Sequence, residues 1–148
     1  MVAYSFQERF VAPIQAGTKR QTIRAIGKRR HAVKHDRIQL YTGMRTAKCR
    51  KIVEPDPICT GTFDIWIAVA PLYQPDNGVG NLPSPEALAG RYVIHTIKIG
   101  DHTLAQDELD AFAQTDGFES LQSMADFWAS THGPGIFRGV LITWSPTS

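Results

Sequence analysis

The sequence has no run of about 18 consecutive apolar residues, so no membrane-spanning helix is expected. Its opening, MVAYSFQERF, lacks the basic leader, apolar stretch and small-residue cleavage site of a secretory signal, and a cytoplasmic location follows as the expectation. Cysteine is scarce. Cys49 and Cys59 are expected to be reduced thiols in that compartment, and two thiols alone do not make a zinc site, which takes four ligands. His31, His35, His95, His102 and His132 are scattered and form no close metal motif. No metal ligand is assigned and no cofactor is expected, with a divalent ion left open as an aid to phosphate chemistry. Internal repeats and low-complexity tracts are absent.

Acids are nearly missing from the first third. Residues 1–53 hold 13 Lys or Arg against Glu8 and Asp36, a net +11, while residues 54–148 hold Arg91, Lys98 and Arg138 against 12 acids, a net −9. The overall charge of +2 conceals this split. It points to a polyanion-binding surface built by the first third, or to basic segments packed on the acidic remainder of their own fold.

What is present fits one domain. The chain has 148 residues, 43% of them apolar, and its nine prolines and twelve glycines argue for many turns rather than a helix bundle. Ser5 can cap a short helix from Phe6, with Phe6, Phe10, Val11 and Ile14 facing a core, Pro13 shortening it and Gly17 closing it. Arg20 to Arg24 reads as a strand that projects Arg20, Thr22 and Arg24 to one side. Residues 28–35 form a basic loop that reads as solvated, RIQLY at 37–41 a strand, and residues 42–51 a second basic turn. The β-branched and aromatic residues of 59–70 make a long strand or a bent pair. Residues 71–90, rich in Pro and Gly, read as a loop insertion. YVIHTIKI at 92–99 is a strand, with His95 hydrogen-bonded inside a barrel or turned to a cleft as a general acid–base. Residues 106–114 form a helix with Leu109 and Phe112 inward, Ser120 caps a second over 121–129, and GVLITW at 139–144 closes the fold. Trp66, Trp128 and Trp144 are expected in the core. The whole suggests a small α+β barrel with peripheral helices.

One segment concentrates chemistry. In AGTKRQTIR a glycine ends a helix, Lys19 follows, and a strand begins that carries Thr22 and Arg24. Arg20 and Arg24 beside Lys19 press its pKa down, and a neutral lysine can act as general base toward a threonine nucleophile. The same residues can equally form a phosphate cradle without chemistry. The second basic turn places Tyr41 beside Arg45, Lys48, Arg50 and Lys51. A ring for stacking a base and cations for phosphates is the mix that single-stranded RNA favours, although Tyr41 can instead belong to the core.

These motifs resemble the ASCH family. SFQERFVAPIQAGTKRQTIR is similar to the family's opening: a helix, a glycine, a lysine shortly after, then Thr-x-Arg on a strand. RIQLYTGMRT, AQTDGFESLQSMADFW and FRGVLITW agree with its later elements, so the resemblance spans 1–148 apart from the insertion. It implies a PUA-like β-barrel with a cleft between barrel and helices, and an association with RNA. Some members act on cytidine acetylated at its exocyclic amine and some are ribonucleases. The amidohydrolase branch uses a Thr, a Lys and a Glu; Thr22 and Lys19 match, and the third position falls at Asp116, one methylene shorter. In TDG, Asp116 can also simply cap a turn. Ser120 joins Arg20, Arg24, Tyr41, Arg45, Lys48 and Lys51 as ligand- or RNA-binding residues. The leading expectation is binding and ribonuclease-like hydrolysis of single-stranded RNA in a basic cleft. The alternatives are amide hydrolysis on an N4-acetylcytidine-type nucleoside or nucleotide by Lys19, Thr22 and Asp116, with Arg24 or backbone amides at the oxyanion, and a non-catalytic RNA-binding adaptor. The oligomeric state is left open.

Overall fold

The computed structural model describes residues 2–71 and 92–145. In chain order these form β1 (Val2–Phe6), a 3-10 turn (Glu8–Phe10), α1 (Val11–Ala16), β2 (Gln21–Ala25), β3 (Ile38–Thr42), β4 (Arg50–Lys51), β5 (Cys59–Pro71), β6 (Tyr92–Ile99), β7 (His102–Thr103), α2 (Gln106–Thr115), α3 (Leu121–His132) and β8 (Gly135–Trp144). The α+β class holds. Apart from Pro71, the expected insertion lies outside the described residues.

The first segment departs from expectation. Val2, Tyr4 and Phe6 are buried alternately, the period of a strand, and β1 pairs in parallel with β3 from Val2–Ile38 to Phe6–Thr42. Ser5 is therefore a strand residue, and no helix starts at Phe6. The helical spacing of Phe10, Val11 and Ile14 is realised one turn later, in the 3-10 turn and α1. Pro13 is accommodated in the first turn of α1, where its missing N–H loses no helical bond. Gly17, at φ 81°, then reverses the chain.

The strands form a three-stranded sheet in the order β1-β3-β4 and a five-stranded sheet in the order β2-β8-β5-β6-β7. Two seams join them. At one, backbone bonds link the lead-in to β3 with the lead-in to β5: Ile38 N–H to the Pro57 carbonyl at 2.9 Å, and Cys59 N–H to the Asp36 carbonyl at 2.8 Å. At the other, β2 spends its backbone ladder on β8 alone, and the Arg24 guanidinium reaches across to the Ser5 carbonyl at 2.8 Å. The expected barrel is thus not closed among the described residues, because a side chain rather than a backbone ladder spans the β1–β2 seam.

The two later helices lie against the larger sheet. Leu109, Phe112 and Ala113 of α2 and Met124, Ala125 and Trp128 of α3 are buried in the core shared with Ile65, Ile67, Ile97 and Leu141. The Ser120 hydroxyl accepts from Ser123 N–H at 3.1 Å, the expected N-cap. Helix α3 runs three residues further than anticipated, and β8 starts at Gly135 rather than Gly139. Trp128 and Trp144 are core residues, but Trp66 is half-buried on the outer sheet face between Lys98 and Arg138, each 5.4 Å from its ring. His95 is exposed rather than held inside the fold, because Ile94 and Ile97 take the inward positions of β6. No helix among the described residues is long and apolar enough to cross a membrane.

Gly139 sits where β8 meets β2, and a Cβ there would come within 2.5 Å of the Arg24 carbonyl oxygen and of the Phe137 ring. Gly139→Ala should therefore lower stability by about 1–3 kcal/mol in urea unfolding. Gly27, where an added Cβ would meet nothing within 4 Å, should accept alanine within about 0.5 kcal/mol. Equal midpoints for the two variants would contradict this packing.

Candidate functional site

Two glycine turns build the site. After Gly17, the N–H groups of Thr18 and Lys19 both donate to the Pro13 carbonyl, at 3.1 and 3.0 Å, which turns the Lys19 side chain inward. The N–H of Arg20 donates to the Thr115 carbonyl at 3.0 Å, tying this turn to the end of α2. There Gly117, at φ +97°, passes so close to the lysine stem that an added Cβ would lie 2.8 Å from Lys19 Cδ. Lys19 and Asp116, 97 residues apart in sequence, are thereby packed together with 3% and 4% exposure.

Lys19 Nζ donates to the Asp116 carbonyl oxygen at 2.5 Å and stands 3.6 Å from its carboxylate Oδ1. Gln21 Nε2 donates to the same Oδ1 at 3.3 Å. The Asp116 carboxylate is thus spoken for by side chains and does not cap the TDG turn. Thr22 is 5% exposed, and Arg24 Nε donates to its Oγ1 at 3.1 Å. Lys19 Nζ also lies over the Phe10 ring at 4.7 Å, and the Arg24 guanidinium over Phe6 at 4.8 Å.

Burial governs the titration of this cluster. It pushes the Lys19 amine down, with Arg24 and Arg9 adding to the effect and Asp116 opposing it. It pushes the Asp116 carboxyl up, against the pull of Lys19 and Gln21. It also pushes Arg24 down to about 10. Each group is therefore driven toward its neutral form by loss of water.

Lys19, Thr22, Arg24 and Asp116 line one cavity of about 240 Å³, whose remaining wall is largely aromatic. Phe10, Phe118 and Phe127 meet at ring separations of 5.2 to 5.7 Å, and Trp128 stacks on His132 at 4.5 Å. Trp128 is buried, and its indole N–H finds no acceptor among the described residues.

Four of the anticipated residues come together here, and the others do not. Arg20 is exposed, because it precedes β2 and its backbone is held by α2 and β8. Tyr41 is half-buried on the outer face of β3, opposite Lys51, away from both core and cavity. Arg45 and Lys48 are exposed on the turn after β3. Lys51 is not free for phosphate: it pairs with Asp56 at 2.6 Å and Glu54 at 3.1 Å, which holds its amine above the usual range. Arg50 pairs with Glu8. Ser120 is committed to its capping bond. The basic loop is partly anchored, since Tyr4, fully buried, meets His31 Nδ1 at 3.2 Å and accepts from Ala32 N–H at 3.0 Å. The sequence reading missed Gln21, which strand alternation assigned to the face opposite Thr22, and the phenylalanine wall, whose members come from the 3-10 turn, α3 and the loop between α2 and α3. Among the described residues no group of three or more His, Cys, Asp or Glu is placed to hold a metal ion.

No family model, curated protein or solved structure matches the chain.

Asp116→Ala keeps the backbone carbonyl that Lys19 Nζ bonds but removes the carboxylate that favours the charged amine, and should cost up to about 3–5 kcal/mol of stability near neutral pH. Its deficit relative to wild type should shrink as pH rises toward 10.5. The folded variant then sheds the Lys19 proton, whose affinity burial lowers from that value, while the unfolded chain still holds it. Paired urea melts at about pH 7 and about pH 9.5 check this. A deficit independent of pH would exclude a buried charge at Lys19.

Proposed function

We propose that this chain is an ASCH-type hydrolase that takes a single nucleobase into the cavity and cleaves an amide attached to it. The observation that carries the reading is the convergence of Lys19, Thr22 and Asp116 on one cavity with Lys19 only 3% exposed. Pockets for drug-sized ligands run from about 300 to 1,000 Å³, so a cavity of about 240 Å³ suits one ring and its substituent. Aromatic walls suit the faces of a base. The fold that goes with this reading is a PUA-like barrel opened along the β1–β2 seam.

In the proposed reaction the Thr22 oxygen adds to the acyl carbon, and its proton passes to the neutral Lys19 amine. The Arg24 donation to Thr22 Oγ1 favours the developing alkoxide, and the guanidinium also stabilises the charge that gathers on the acyl oxygen. The carbon–nitrogen bond breaks as Lys19 returns the proton to the departing amine. Water then adds to the threonine ester with Lys19 again accepting a proton, which releases the acid and restores Thr22. Asp116 is a positioning residue that holds the Lys19 amine in place. Burial favours the neutral form of the lysine, the form the first step requires.

Hydrolysis or simple binding of single-stranded RNA is the second reading, and the net +11 of residues 1–53 favours it. It ranks lower because Arg30, Arg50 and Lys51 are paired with acids and Tyr41 lies away from the cavity.

Turnover of N4-acetylcytidine and of a labelled single-stranded RNA, each with and without divalent ion, separates these readings. Thr22→Val and Lys19→Met should each lower deacetylation by about 10²- to 10⁴-fold. RNA cleavage without deacetylation would establish the ribonuclease instead, and RNA retention without either reaction would establish an adaptor.

A further inference from the structure

A base in the cavity leaves the rest of its ligand outside, and the fold offers a place for it. Across the end of β1 a second, more open groove of about 540 Å³ adjoins the cavity, and the two share Ser5, Phe6 and Gln7 as a common wall. The far side of the groove is the turn after β3, with Thr42, Gly43, Thr46 and Lys48. A ligand that fills the cavity with one ring therefore continues into this groove.

The groove has the chemistry of an anion site. Its single acid, Glu8, is paired with Arg50 and lies near the Thr42 hydroxyl at 3.4 Å, so its charge is already answered. Lys48 is exposed and makes no ion pair among the described residues, unlike Lys51 three residues later. The turn is also held in an unusual shape. Gly43 and Arg45 both have φ of 66°, and Arg45 is one of two non-glycine residues at positive φ among those described. The Thr46 hydroxyl ties the turn, donating to the Gly43 carbonyl at 2.6 Å and accepting from Lys48 N–H at 3.1 Å. A Cβ at Gly43 would sit 3.0 Å from the Lys48 carbonyl, so a larger residue there would have to push the turn aside. These bonds fix the backbone that carries Lys48 beside the groove.

We infer that this groove is a phosphate subsite, so that the ligand of the cavity is a phosphorylated nucleoside rather than a free one. The inference rests on the base-binding reading above. The phosphate belongs either to a mononucleotide or to the terminal nucleotide of an RNA strand, and Lys48 is its principal charge partner. Such a subsite gives the second basic turn a role that Tyr41 and Lys51, turned away or neutralised, do not fill.

The test is equilibrium binding to the Thr22→Val protein, which leaves ligands intact, with and without Lys48→Ala; Lys34→Ala serves as a cation outside the groove. The ligands are N4-acetylcytidine, its 5′- and 3′-monophosphates, and a trinucleotide ending in the acetylated base. A phosphate should tighten binding by about tenfold or more. Lys48→Ala should remove most of that gain while leaving nucleoside binding unchanged, Lys34→Ala should keep it, and added salt should narrow it. A gain with a monophosphate marks a mononucleotide ligand, and a gain confined to the trinucleotide marks a strand end; both support the subsite. Equal affinity for nucleoside and phosphorylated ligands, or a gain that survives Lys48→Ala, overturns it and leaves the base-binding reading standing. Failure of all four ligands to bind removes the base-binding reading and the subsite with it.

Discussion

A buried lysine amine is the constraint around which this structure is arranged. Lys19 has 3% exposure, and a polar group removed from water to that degree is kept only where other groups replace the water. The Asp116 carbonyl, its carboxylate and the Phe10 ring do so, and they come from opposite ends of the chain. Bringing them together demands the sharp turns at Gly17 and Gly117 and the bond from Arg20 N–H to the Thr115 carbonyl. The cavity is the space these turns leave beside the first strands. A buried ion pair of this kind is roughly neutral for stability against an apolar replacement, so stability alone is a weak account of it. Perturbed titration in a cleft beside a hydroxyl is an arrangement that suits chemistry.

Arg24 couples the site to the architecture. Its guanidinium bonds the Ser5 carbonyl across the open seam, its Nε bonds Thr22, and its plane covers Phe6 and Tyr4. The residue that bonds the Thr22 hydroxyl is therefore also the one that links the two sheets where no backbone ladder does. Lysine could not substitute for it, since a single ammonium lacks the planar fork needed to reach both partners while stacking on two rings.

The basic first third has a mixed fate. Lys19, Arg30, Arg50 and Lys51 are matched to acids, so the formal surplus overstates the field available to a ligand. Arg20, Lys28, Arg29, Lys34, Arg45 and Lys48 remain exposed. The unmatched charge is thus distributed over several loops, and only the turn after β3 borders the groove next to the cavity.

Local chemistry made much of this legible in advance. Apolar strand runs located β3, β6 and the end of β8, β-branched and aromatic content located β5, and inward apolar residues with the Ser120 cap located α2 and α3. The Gly-x-Lys-x-x-Thr-x-Arg order placed Lys19, Thr22 and Arg24 near one another, because three residues so close in sequence on a turn and a strand have few other options. Residues 2–6 are misleading: Ser5 is of a type that caps helices, whereas Val2, Tyr4 and Phe6 alternate as a strand paired with β3. That Asp116 meets Lys19, that Gln21 turns inward, that Lys51 is paired with acids and that the two sheets do not close into a barrel among the described residues are long-range outcomes. They depend on which segments pack against one another, and contacts across 97 residues leave no periodic trace in the chain. The sequence by itself determined the elements and the reactive residue types. The tertiary structure alone decided which of those residues lost their water and met in one cavity, because burial and pairing are properties of the packed whole.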